Sequence, residues 1–271
     1  MITSLRERSD DEWFLAIDRH MCRAFSAALC FAPDADWHED GAYTRCVTGL
    51  PNPFGNLIWN AHFGDAAIDG QIKDALEPIV ERGAPGLWFI GPNSAPSNLK
   101  ERVLASGLIE SHPLRAMAIE LKTVQRESLP GNTTIDEVCD EETMNDWLAT
   151  LAGGYDLPRE VANLFSHWPA HLGLSSRSPM RAFIARQEGR PVACSLLYID
   201  EGVAGIYCVA TVPDARNQGL GRAVTLAPLL EARNSGYSVA VLQSSVMGES
   251  VYRRIGFQSF GDIATLVHTG Q

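Results

Sequence analysis

Apolar positions along the chain fall into two spacings that predict alternating strands and helices. In the first half, dense apolar runs over residues 43–50, 56–63, 87–90 and 114–121 predict strands. Ile72, Leu76, Ile79 and Val80 line one face of a helix predicted over 68–82, and a second helix is expected near 96–106. In the second half a strand near 134–138 precedes two helices, about 141–151 and 159–168, joined by a loop over 153–158. Three strands follow in hairpin order, around 180–187, 191–199 and 202–212, with Glu188-Gly189-Arg190 and Asp200-Glu201 as turns. A helix near 219–234, a strand at 238–242, a helix at 248–255 and terminal strands complete the pattern.

The expectation is a mixed α/β fold, with helices packed on a mixed sheet. The sharpest break in composition is the polar stretch 125–132, punctuated by Pro130-Gly131. It divides the chain into an N-terminal domain, 1–124, a linker, 125–131, and a C-terminal domain, 132–271. The halves look like diverged copies of one plan: each has a strand, a short helix ending in Gly plus an apolar residue, and a closing strand. Aligning Gly107-Leu108 with Gly256-Phe257 sets Val103 opposite Tyr252.

Composition narrows the function classes. With 45% hydrophobic and 20% charged residues over 271 positions, the chain can bury real cores and is not disordered. Twenty-two basic against 33 acidic residues give a formal charge of −11, the wrong sign for gripping nucleic acid. The longest apolar runs, such as 203–212, are too short to cross a bilayer, so no membrane partner is expected. The charged start, Met1 to Glu12, lacks an apolar leader core. Six scattered cysteines form no C-x-x-C pair. These features point to a reduced, cytoplasmic protein without a zinc site.

Chemistry concentrates in Thr211-Val212-Pro213-Asp214-Ala215-Arg216-Asn217-Gln218-Gly219-Leu220-Gly221-Arg222-Ala223, a glycine loop between an apolar strand and a helix. A helix start offers N–H groups without intrahelical partners at the positive end of its dipole, and glycines let a phosphate approach the backbone. Arg216 and Arg222 add positive charge. A dinucleotide fold is the rival reading, but it wants G-x-G-x-x-G after a first parallel strand. Here the loop follows antiparallel strands and position 224 is Val.

Two motifs, Arg216-Asn217-Gln218-Gly219-Leu220-Gly221 and Tyr252-Arg253-Arg254-Ile255-Gly256-Phe257, stand in order along the chain. They resemble the cofactor loop, [RQ]-x-x-G-x-[GA], and the Tyr-x-x-x-Gly-Phe segment of the GNAT acyl-CoA-dependent N-acyltransferase superfamily. The resemblance covers about residues 132–268, and the first half only as a degenerate copy without loop or tyrosine. It implies acetyl-CoA as cosubstrate, a small-molecule or peptide amine as acceptor, and direct attack of that amine on the thioester. By the same resemblance Arg216, Asn217, Gln218, Gly219, Leu220, Gly221, Arg222 and Ala223 bind the cofactor, the amides from Gln218 to Ala223 holding its pyrophosphate. Val209, Ala210 and Thr211 line the pantetheine beside a bulged, parted strand. A backbone N–H near Val209 polarises the thioester carbonyl, and Tyr252 protonates the leaving thiolate. Ser245 stands at the cofactor-contacting position usually held by Asn.

Some features depart from the family pattern. Thr211 replaces an apolar residue, Gly248 stands where Ala is usual, and Pro228 inside the helix after the loop predicts a kink. The general base is not readable: where some members carry Glu this chain has Gly205, and Asp200, Glu201, Tyr207 and Asp156 are the candidates at the mouth. His167 and His171 have metal-ligand spacing, but Pro169 between them and the lack of a third ligand speak against a metal. Cys208 reads as core, and Ser244-Ser245 lacks the hydrolase elbow context. Trp59, Trp88 and Phe89 read as core residues of a half that shapes the acceptor site or the junction. A non-catalytic acyl-CoA-binding sensor or scaffold is the alternative function.

Overall fold

In order along the chain come α1 (Asp10–Leu29), β1 (Asp36–Glu39), β2 (Thr44–Val47), β3 (Asn56–Trp59), α2 (Ile68–Glu81), β4 (Gly86–Ile90), α3 (Leu99–Ala105), β5 (Ile109–Glu110) and β6 (Leu114–Glu120). The second half continues with β7 (Thr133–Glu137), α4 (Glu141–Tyr155), α5 (Arg159–Ala162), α6 (Trp168–Leu172), β8 (Met180–Gln187), β9 (Arg190–Asp200) and β10 (Val203–Thr211). It ends with α7 (Leu220–Asn234), β11 (Val239–Ser244), α8 (Glu249–Ile255) and β12 (Gln258–His268). This computed structural model describes residues 4–64 and 67–270, so the first three residues of the charged N-terminal stretch lie outside the described residues.

All twelve strands join one mixed sheet in the order β1-β2-β3-β4-β12-β6-β11-β10-β9-β8-β7, with β5 paired to β12. The pairing directions read nearly the same from either end. Outer strands are antiparallel, β3–β4 and β10–β11 are parallel, and the three central pairings are antiparallel. The halves exchange their last strands. β6, from the first half, lies between β11 and β12, and β12, the last strand of the chain, lies between β6 and β4. Its first residues pair with β6 and its last residues, Ala264 to His268, pair with β4. The repeat seen in the sequence has a counterpart in α3 and α8, each followed by a positive-φ glycine, Gly107 or Gly256, and a buried Leu108 or Phe257.

One expected strand pair at the C-terminus is thus a single long strand, and other elements differ from the sequence reading. α1 was not anticipated. Its Ser9–Glu12 capping box closes the first turn, and Trp13, Ile17, Met21, Ala24 and Ala28 form a buried stripe at helical spacing. Fully burying a side chain such as Ile17 or Met21 contributes about 1.5–3 kcal/mol, which fastens α1 across the middle of the sheet. α4 runs on through Gly153 and Gly154 instead of stopping at 151, and the helix expected over 159–168 is broken into α5, a 3-10 turn and α6. Helices α1 and α4 cover one face, while α2, α3 and α7 cover the other.

α7 is continuous through Pro228. Proline leaves the carbonyl four residues earlier without its helical donor, and here the Ser195 hydroxyl of β9 donates to Val224 O at 2.7 Å. The same substitution of donors occurs in α2, where Pro78 frees Asp74 O and the Arg45 guanidinium donates to it at 3.0 Å. Ser195 and Val224 are both fully buried. Ser195→Ala leaves that carbonyl without a partner and is expected to lower stability by about 1–3 kcal/mol. The check is the denaturant midpoint; an unchanged midpoint would reject the account.

Candidate functional site

β10 makes the site because it loses both neighbours in turn. Its pairing with β11 is confined to Ala204–Ala240 and Gly205–Val241, after which the two parallel strands part. On the other side the register with β9 jumps from Tyr207–Leu196 to Ala210–Cys194. Cys208 and Val209 therefore stand opposite one residue, and Cys208 takes a left-handed φ of 51°. The bulge and the parted strand are as the sequence reading expected.

The gap between β10 and β11 opens into a cavity of about 1240 Å³. Val209, Ala210 and Thr211 line it, followed by Arg216, Asn217, Gly219, Leu220, Gly221 and Arg222, and Ser245 and Tyr252 face them. Every one of the expected site residues except Gln218 and Ala223 lines this cavity. The Gln218 amide side chain instead donates to Asp214 O. The Ala223 N–H donates to Gly219 O at 3.0 Å, the first bond of α7. The helix-start donors that precede it belong to Leu220, Gly221 and Arg222. Gly219 has φ +81°, a conformation that a side chain strains. Above it the loop is open, a Cβ there meeting nothing nearer than Pro130 at 4.0 Å.

Two arginines are partly occupied. Arg216 donates to Thr211 O at 3.2 Å and Gly154 O at 2.9 Å, which ties the loop to the end of α4 while leaving its charge uncompensated by those partners. Arg222 forms an ion pair with Glu127 at 2.7 Å. Tyr252 packs edge-on to Phe257 and rests against Gly248, where an added Cβ would lie 3.0 Å from the ring. Burial pushes its phenol above the ordinary value, so the hydroxyl keeps its proton throughout the neutral range.

Of the four base candidates, only Tyr207 lines the cavity. Asp200 and Glu201 sit at the opposite end of β10, both held by Arg23 of α1 at 2.8 and 2.6 Å. Asp156 is the exposed left-handed cap of α4. Cys208 lies in the cavity wall, but burial pushes its thiol up to about 12, which removes the thiolate a covalent route would need. His167 caps α6, and His171 stacks on Phe31 at 3.8 Å. Among the described residues no group of three or more metal-ligating side chains comes together, and no helix is long and apolar enough to cross a membrane.

Sequence reasoning missed His20. It projects from α1 onto Gly205, where an added Cβ would lie 2.4 Å from its Cε1, and it meets the Tyr207 hydroxyl at 2.7 Å. The imidazole occupies the space beside the position where the family resemblance led one to look for a glutamate. No pattern in the sequence joins two residues 187 positions apart.

Comparison with known proteins agrees with this geometry. Residues 178–259 match the family model described as acetyltransferase (GNAT) domain. A mycothiol acetyltransferase of Paenarthrobacter aurescens is 22% identical over 257 residues, covering 84% of this chain and 76% of that protein. A GCN5-related N-acetyltransferase from Kribbella flavida superposes with a TM-score of 0.67 at 18% identity, over 94% of this chain and 96% of the other. A tandem GNAT protein from the clavulanic acid biosynthesis pathway has a TM-score of 0.59 at 11% identity, over 97% and 95%. The chain thus shares its fold along its length with solved GNAT proteins, and residues 178–259, which hold the parted strand, its loop and α7, match the GNAT acetyltransferase domain in sequence.

Proposed function

We propose that the protein moves an acetyl group from acetyl-CoA to a primary amine by direct attack. The observation that carries this reading is the parting of β10 from β11, which joins the open Gly219 loop to the Tyr252 hydroxyl through one continuous cavity. The residues present fit a CoA thioester: helix-start amides at 220–222 and Arg216 for the diphosphate, and an unpaired strand edge for the pantetheine. When bound, the thioester supplies an activated acyl carbon. The Val209 N–H, out of the β9 register, donates to the carbonyl oxygen, where negative charge grows during attack. Tyr252 donates to the departing sulfur. Because its phenol is held above its usual range, it acts mainly by hydrogen bonding rather than by early proton transfer. Ser245 borders the same wall.

The division at 125–131 is part of the proposal: 132–271 is the catalytic copy and 1–124 a degenerate one that completes the sheet. Thiol release from acetyl-CoA, followed across a panel of amines, tests the reading. Release with an N-acetylated product is expected. CoA binding by calorimetry without release from any amine would reassign the protein as a non-catalytic acyl-CoA binder.

A further inference from the structure

We propose that the acceptor is an amine on an apolar body, bound as the neutral amine with an N–H donated to the Tyr207 oxygen. The proposal rests on the acyl-transfer reading above and adds the class of amine.

Its first support is the polarity of the hydrogen bonds at His20. Val203 O, 3.3 Å from Nε2, can only accept, so Nε2 carries the ring proton and Nδ1 is bare. Tyr207 must then donate its hydroxyl proton to Nδ1, which leaves its oxygen in the cavity wall as an acceptor, one lone pair of which is taken by the Gln243 amide. Burial lowers His20 to about 4, so this arrangement persists at every pH where an amine is a useful nucleophile. Packing fixes it further: the two rings are stacked within 10° of parallel, and Gly205 leaves room for both.

The second support is placement. Tyr252 packs with the core on the α7 face of the sheet, whereas Tyr207 packs with the core under α1. The gap between β10 and β11 connects the two faces. A leaving sulfur held by Tyr252 and an amine held by Tyr207 would therefore reach an acyl carbon in the gap from different faces of the sheet, so that the attacking and departing groups do not compete for one space.

The third support is what the cavity lining contains. Among the described residues no carboxylate lines it, so nothing there compensates an ammonium. On the Tyr207 side the lining is mostly apolar, with Met21, Phe25, Leu87, Phe89 and Val267 beside the neutral Ser111 and Thr265 and the imidazole of His112. Such walls favour an aliphatic or aromatic body over a polar one. The ionisable groups around Tyr207 do not supply the missing charge. Cys22 and Tyr198 are pushed up by burial, and Asp200 is paired with Arg23. The facing group from β11, Gln243, is a neutral amide that hydrogen-bonds the Tyr207 oxygen and leaves its second lone pair for the amine.

Steady-state kinetics with acetyl-CoA test this. Phenethylamine is expected to exceed ethanolamine in kcat/KM by about tenfold or more. The rise of kcat/KM with pH should follow the amine's own ionisation, moving to lower pH for β,β-difluorophenethylamine, whose ammonium is more acidic. Tyr207→Phe should raise the amine KM about tenfold while leaving CoA affinity by calorimetry unchanged. Preference for ethanolamine, an inflection that stays fixed for both phenethylamines, or an unchanged amine KM would each overturn the proposal. If Tyr207→Phe does not fold, the pH comparison on the unaltered protein decides. Absence of thiol release from every amine would instead count against acyl transfer itself.

Discussion

A fragment lacking residues 1–124 will not fold. The cut removes β6, which fills the space between β11 and β12 and pairs with β11 from Glu120–Val239 to Arg115–Ser244. It takes away Ala116, Met117, Ala118 and Ile119, all essentially fully buried, and leaves two strand edges with unpaired backbone groups. It also strips α1 from the α1–α4 core. Burial of Met117 and Ile119 alone contributes about 3–6 kcal/mol together, a large share of the roughly 5–15 kcal/mol that holds a domain folded. Circular dichroism and chemical denaturation of residues 125–271 should show no cooperative transition. A soluble fragment with a sharp transition would sink the claim that the exchanged strands are structurally required. Loss of turnover in that fragment would consequently say nothing about acceptor shaping by the first half.

Tyr252→Phe is expected to lower kcat by on the order of 10²–10³, while CoA affinity stays near its original value. The ring still rests on Gly248 and Phe257, so packing survives and only the hydroxyl is lost. The sign of the pH effect follows from the raised phenol. Deprotonation of Tyr252 is displaced to higher pH, and the unaltered enzyme should show no fall in kcat through the ordinary range of a free tyrosine. Single-turnover thiol release reads the chemical step directly. A Phe variant with undiminished kcat would transfer the donor role elsewhere.

Much of this architecture was legible in local pattern. The hairpin of β8, β9 and β10 is written in apolar runs separated by Glu188-Gly189 and Glu201-Gly202, whose positive φ values suit tight turns. The glycine loop and Tyr252 were found by motif, because their chemistry depends on backbone geometry that short spacings encode. Signals also went unread: Ser9 and Glu12 mark the start of α1 as plainly as any capping box. Gly153 and Gly154 suggested a loop by propensity, yet Gly154 lies inside α4. A Cβ there would meet that of Ala210 at 2.7 Å, so close packing against the bulged strand overrides propensity. What no local pattern carries is partner choice. β6 and β12 have ordinary strand sequences, and neither states that it completes the other half's sheet. His20 likewise reads as one residue of an amphipathic helix until the fold brings it to Tyr207.

The eleven-residue β12 is bonded to β6 along its first part and to β4 along its last, so one unbroken beam crosses the junction between the halves. Bending there would rupture a ladder at the centre of the molecule. Hinge closure of the kind common in two-lobed enzymes is therefore denied to this protein, and traffic into the cavity must be governed by surface segments such as the Ser245–Gly248 turn and the 213–219 loop.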